Sequence, residues 1–270
     1  MFQAVTFVFI EMLSPQPYLT QAETLKCSLN QESVIIKQLS VNAAKNSCAY
    51  HLHNEALAAC YMDLGNFLSG KNKYSEAFKA QQQAMGLSIP LEREEHASTA
   101  DSYHELRVTH HSLGDLNAAL DSLQHALEIR LKFFGEEHAR TADSYYGLGV
   151  THHSLGDFKA ALDSKKHALE IRLKLFGEEH ASTADSYYGL GVTHHSLGHF
   201  KAALVSDQHA LEIRLKLFGE EHASTADSYH GLGVTHHSLG HFKAALDSNQ
   251  HALEIRLKLF GEEHASTAYS

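Results

Sequence analysis

The sequence predicts an all-α fold, a solenoid of antiparallel helix pairs stacked in a row. Three observations carry that prediction. The pentapeptide HHSLG recurs at His110, His152, His194 and His236, always 42 residues apart. Each 42-residue unit contains two stretches with helical apolar spacing, and a glycine follows each stretch. Residues 141–182 and 183–224 differ at only four places, Asp157/His199, Asp163/Val205, Lys165/Asp207 and Lys166/Gln208, so the chain arose by duplication. A two-helix unit cannot bury its apolar stripe alone, and neighbouring units must stack.

The first stretch of a unit opens at Ser182-Thr-Ala-Asp185, repeated at Ser98/Asp101 and Ser224/Asp227. This S-x-x-D pattern predicts a capping box, with the serine oxygen accepting an early backbone N–H and the aspartate reaching back. Apolar side chains follow at Tyr187, Leu190, Val192 and Leu197, and Gly198 is placed to end the helix in the left-handed conformation. The second stretch puts Phe200, Ala203, Leu204, Ala210, Leu211, Ile213, Leu215, Leu217 and Phe218 on one broad face and stops before Gly219. It is the longer of the two, and Glu212 and Lys216 are spaced to pair along it.

Tyr145, Leu148-Gly149, His152, Ala161, Leu162 and Ala168 together resemble the pattern of the tetratricopeptide repeats. The ending HALEIRLKLFGEEH and the 42-residue period are similar to the long repeats of kinesin light chains and nephrocystin-type proteins. The resemblance covers about Asn54 to Ser270 and implies a right-handed α-α superhelix whose first helices line a concave, protein-binding groove. It divides the array into units at about 57–98, 99–140, 141–182, 183–224 and 225–266, followed by a truncated helix start. Residues 1–53 are expected to be irregular or partly helical, with one or two helices between Thr20 and Ser40.

The unit at 57–98 is diverged but in register through Tyr61, Leu64-Gly65, Tyr74, Ala77 and Phe78. Asn72 stands where Gly114 stands 42 residues later, and asparagine is the next most tolerant residue of the left-handed conformation. Arg107 occupies the place of Gly149 and is expected to strain helix packing in its unit. Lys165, with Leu123, Asp207 and Asn249 in the sister units, occupies a place where the family has a large apolar residue. The sequence ends at STAYS, where another first helix would begin. This is expected either of a fragment of a longer chain or of a last pair that covers itself by self-association.

Charge and motif content bound the function. A formal charge of −10 disfavours nucleic acid and anionic membranes, which need clustered Lys and Arg. Cys27, Cys48 and Cys60 form no CxxC, so a reducing, cytoplasmic setting is expected. The opening MFQAVTFVFIEMLSP has no basic residue before its apolar run, and Glu11 interrupts it, so it reads as neither signal peptide nor anchor. G-x-S-x-G, HExxH and a P-loop lysine are missing, which predicts no enzyme and no cofactor. The glycines of GLGVTHHSLG lie inside a predicted helix rather than in a phosphate loop, and read as packing notches.

With 23 histidines, metal binding has to be weighed. Adjacent positions on a helix point about 100° apart, so His152 and His153 do not converge on one ion. By resemblance His152 is a packing residue between helices. GEEH reads as a solvated loop, and no metal site is predicted.

The resemblance places Asp143, Tyr146, Val150 and His153, with Ser154, on the groove face. The same face carries Asp101, His104, Val108 and His111, then Asp185, Tyr188, Val192 and His195, then Asp227, His230, Val234 and His237. Successive rungs about 8 to 10 Å apart are too distant for joint metal ligation but suit a peptide groove. The first helices carry no lysine and, of arginines, only Arg107, unlike the domains of this family that clamp a terminal carboxylate. An Asp-, Tyr- and His-lined groove suits a neutral or basic, aromatic-containing segment.

The expected function is therefore a non-enzymatic protein-interaction scaffold. Two alternatives stand beside it. One is the regulatory or sensor portion of a larger signalling NTPase or motor-associated protein; the other is a histidine-rich metal-binding protein.

Overall fold

The computed structural model of the chain describes residues 47–88 and 97–261. The helices expected between Thr20 and Ser40 and the truncated helix start after the last unit lie outside these residues. Two compact units divide at Glu94 and Glu95.

In the first unit, α1 (Ser47–Gly70) and α2 (Tyr74–Ser88) pack against each other through the buried Ala58, Leu68, Ala77, Ala80 and Ala84. The tight turn between them runs through Asn72 in the left-handed region, at φ 59°, as its alignment with Gly114 predicts. The Tyr74 hydroxyl donates to Asn72 Oδ1 at 2.7 Å and fixes that turn.

The second unit consists of four helix pairs: α3 (Ala97–Leu113) with α4 (Leu116–Phe134), α5 (Ala139–Ser154) with α6 (Phe158–Phe176), α7 (Ala181–Ser196) with α8 (Phe200–Phe218), and α9 (Ala223–Ser238) with α10 (Phe242–Phe260). Within this unit every helix packs on the next, and α7 also adjoins α5 and α9. Among the described residues there is no strand, and the architecture is the expected α-α solenoid.

Both glycine stops are as expected. Gly156, Gly198 and Gly240 sit at φ +83°, +75° and +77°, and the backbone N–H of the residue after each glycine returns to the last turn of the helix, as in His199 N to His194 O at 2.9 Å. Gly177, Gly219 and Gly261 close the longer helices at φ +80°.

The helix starts correct the sequence reading. Helix α7 begins at Ala181, so Ser182 already lies inside the first turn, and Asp185 is too far along to reach back. The cap is His180, whose Nδ1 accepts the Ser182 N–H at 3.1 Å while its ring stacks on Phe176 at 4.3 Å. His138 on Phe134 and His222 on Phe218 repeat the device. The histidine of GEEH is thus a structural cap stapled to the preceding helix, and its ring nitrogen does the work usually left to Ser or Asp.

The buried face of α7 is made of small residues, Thr183, Ala184, Ser186, Gly189, Gly191 and Thr193, around the single large Leu190. Val192, expected to be apolar packing, is instead exposed. On α8, Ala203, Ala210 and Ile213 are buried, whereas Leu217 and Phe218 emerge at the surface. Small side chains on both partners bring the helix backbones close.

Candidate functional site

In the second unit, an arginine in each second helix, Arg130, Arg172, Arg214 and Arg256, organises the face on which the candidate residues lie. Arg172 shares one stripe of α6 with Ala161, Lys165 and Ala168, at successive helical turns, and is buried with them. Its Nη2 donates to Asp143 Oδ1 of its own pair at 2.8 Å. Its Nη1 reaches the next pair, donating to Ser182 O at 3.0 Å and to the buried Ser186 Oγ at 2.9 Å. The guanidinium lies over the Tyr146 ring at 4.8 Å.

Arg214 repeats the set with Asp185, Ser224 O, Ser228 and Tyr188. Arg130 repeats it with Asp101, Arg140 O and Ser144. Arg256 binds Asp227 at 2.8 Å. A buried guanidinium is tolerated here because a carboxylate and two oxygens meet its donors in fixed geometry.

Sequence reasoning missed these arginines. The signal was present: an arginine recurring every 42 residues, at 130, 172, 214 and 256, on the buried stripe of the second helix. Arg140 also corrects the inventory of first-helix cations, since it lies in the first turn of α5 and its Nη1 binds Asp101 Oδ2 at 2.6 Å.

The candidate face residues lie around this clasp with different degrees of exposure. Asp143, Asp185 and Asp227 are exposed, and the arginine engages only Oδ1 of each. Tyr146 is largely inserted: a Cβ added to Gly189 would meet its Cε2 at 3.0 Å, and Tyr188 lies likewise over Gly231 at 3.3 Å. Burial, foremost, raises the pKa of both phenols. His104 takes the tyrosine's place in α3, where burial first, then Arg107 and Arg130, hold it neutral with a pKa lowered to about 4. Burial likewise lowers His230. Val108 and Val150 are half-buried, and Val192 and Val234 are exposed.

The histidine ladder joins neighbouring first helices. His111 Nε2 meets Ser154 Oγ at 3.0 Å, His153 meets Ser196 at 2.9 Å, and His195 meets Ser238 at 2.8 Å. Each of those serines donates its own proton to a helix carbonyl, of Val150, Val192 or Val234, so the imidazole N–H is the donor. Burial, then Lys165, lowers the His153 pKa. His237 packs its ring on Phe242 at 5.5 Å.

The two glycines of α5, α7 and α9 are close-packing notches. A Cβ on Gly149 would lie 2.5 Å from Lys165 Cγ and 3.1 Å from Ala161 O. The variable residue of each pair fills this slot. Lys165 Nζ donates to Gly189 O at 3.1 Å and to Thr193 Oγ1 at 2.8 Å, and burial lowers its pKa to about 8. Asp207 Oδ2 accepts from Thr235 Oγ1 at 2.7 Å, and burial raises its pKa to about 6 against that hydrogen bond. In the pair carrying Arg107, Thr99 Oγ1, His104 Nδ1, Arg107 Nε and Arg130 Nε are all buried without a hydrogen bond.

Among the described residues, no helix is long and apolar enough to cross a membrane, and no three metal-capable side chains converge.

Comparison with known proteins follows this geometry. The family described as Tetratricopeptide repeat matches residues 54–132, 98–174, 165–216 and 203–258. BtubC from P. vanneervenii is 23% identical with a TM-score of 0.70, covering 88% of this chain and 94% of its own. A P. anserina protein of kinesin-light-chain type with nearly identical TPR-like repeats is 22% identical with a TM-score of 0.67, covering 78% and 99%. MamA of Desulfovibrio magneticus is 16% identical with a TM-score of 0.53, covering 75% and 97%. At these identities the likeness is one of fold. No curated protein matches the sequence. The repeat register, the glycine notches and the family match agree: the chain belongs to the tetratricopeptide-repeat family.

Proposed function

We propose that the chain is a non-enzymatic interaction scaffold whose first-helix face binds an extended or helical segment of a partner protein. The observation that carries this reading is the exposed row of Asp143, Asp185 and Asp227 alongside Val192 and Val234, an apolar strip edged by carboxylates. The clasps hold that row rigid, so little conformational entropy is lost when a ligand docks. The arginines of the second helices are turned inward, which disfavours capture of an acidic segment. The aspartate oxygens outside the clasp can accept N–H groups of a peptide backbone or of basic side chains, so the ligand is neutral or basic, with aromatic residues for the valine strip.

Panning a random peptide library on the wild-type chain and on V150E/V192E/V234E tests this. The wild type is expected to select Lys-, Arg- and aromatic-containing sequences that the folded variant does not retain. Selection of acidic sequences, or equal retention by the variant, overturns it.

A second reading, self-association, rests on α10, where Phe242 and Leu246 are 65% and 58% exposed while their counterparts Phe200 and Leu204 are half-buried. Sedimentation of the wild type against F242S/L246S checks it, and an unchanged distribution refutes it.

A further inference from the structure

The turn between the two helices of each pair places two side chains together. The left-handed glycine lets the residue after it donate its N–H to the carbonyl five positions earlier: Asp115 to His110 at 3.0 Å, Asp157 to His152 at 2.9 Å, His199 to His194 at 2.9 Å and His241 to His236 at 2.9 Å. In the earlier pairs the residue after glycine is aspartate, and its carboxylate caps the following helix, accepting from Ala118 N and Ala160 N at 3.2 Å. In the two later pairs it is histidine, and the cap hydrogen bond is gone. The rings instead face their partners across the turn, with centroids 6.0 Å apart in His194/His199 and 5.7 Å apart in His236/His241.

Losing a helix cap costs about 1 kcal/mol, and what replaces it here is a pair of imidazoles on a rigid backbone. Two imidazoles bound to one tetrahedral cation through bonds of about 2.0 Å have ring centroids about 5 Å apart. Both observed pairs are within about 1 Å of that separation, a change that side-chain rotation alone supplies. In both pairs Nδ1 of the first histidine is buried with no hydrogen-bond partner, and a cation shared with the facing ring would give the imidazole the partner it lacks.

We propose that His236 with His241, and more weakly His194 with His199, form two-histidine sites for a borderline divalent cation such as Zn²⁺, Ni²⁺ or Cu²⁺. Imidazole nitrogen selects this class over Mg²⁺ and Ca²⁺, and solvent completes the coordination. The ranking follows from the surroundings: the positive charge of Lys166 acts on His194, whereas Gln208 stands at the corresponding place before His236. These residues lie outside the groove face, so the inference is independent of the peptide-binding reading.

Titration of NiCl₂ into the chelator-stripped full chain by calorimetry at pH 7.5, against H199S/H241S, tests it. Serine is a good helix cap and removes the ligand. The wild type is expected to bind two equivalents that the variant loses. H241S alone should remove the tighter one, and both should weaken at least tenfold at pH 5.5. H194Q/H236Q, which leaves the cap positions untouched, should lose the same two equivalents. Equal stoichiometry and affinity in the wild type and either folded double variant, or loss of the tighter site in H199S, overturns the assignment.

Discussion

Replacing Asp207 by asparagine isolates the energetic consequence of a buried carboxyl. Asp207 is 2% exposed, packed against Gly191, and held by a single hydrogen bond from Thr235. Its carboxyl titrates near 6 in the fold against 3.8 as an ordinary side chain. At 1.36 kcal/mol per pH unit, this gap of about two units costs the fold about 3 kcal/mol at neutral pH. The native form binds more protons than the unfolded chain between those two values, so the contribution is harmless below pH 3.8, erodes stability as pH rises, and is constant above 6. Asparagine keeps an acceptor for Thr235, cannot ionise, and already stands at the equivalent position as Asn249. Urea unfolding of both proteins from pH 4 to 7.5 should therefore show near-equal stability at pH 4 and a D207N advantage that grows to about 3 kcal/mol by pH 7. Titration of every other group cancels in the difference. A pH-independent difference, or a wild type that gains on the variant as pH rises, would refute the assignment of a charged, desolvated carboxylate to this slot.

Three further outcomes follow from the same geometry. Lys165 carries the opposite sign: with its amine titrating near 8 rather than 10.5, K165L should be more stable than wild type at pH 7 by about 3 kcal/mol. That advantage should shrink between pH 8 and 10.5, as read by the same urea curves. R172M strands Ser182 O and the buried Ser186 Oγ, at about 1–3 kcal/mol each. Because repeat arrays behave as chains of nearest-neighbour interfaces, the loss should split unfolding into two transitions, with hydrogen exchange accelerated in the first turn of α7. G149A gains about 1 kcal/mol of helix propensity but drives a methyl against Lys165 Cγ and the immovable Ala161 carbonyl. Thermal unfolding should show a net loss of about 1–3 kcal/mol.

The architecture was readable because duplication prints the same punctuation at every turn. Gly198, Gly219 and even Asn72 have the conformations that their positions in the repeat demand. Side-chain networks were less readable, because they join residues 29 back and 14 forward along the chain, which no local pattern exposes. Ser182 and Asp185 form a capping box in the sequence, yet the helix starts two residues earlier than that box implies, His180 caps it, and Asp185 is bound by Arg214. The ladder histidines were legible as a row but not as donors to serines of the next helix. In the sequence His199 is only a difference from Asp157; the glycine turn is what brings it, and likewise His241, against a second imidazole.

The arginine clasp uses partners that hardly vary: aspartate in its own pair, serine in the next. Pairs that carry the clasp can therefore follow one another with it intact. Unequal recombination that inserts or removes a whole 42-residue unit would yield a chain with the same junctions and a longer or shorter recognition face. Length, in such a protein, is an inheritable variable separate from fold, and binding reach can change in a single genetic step.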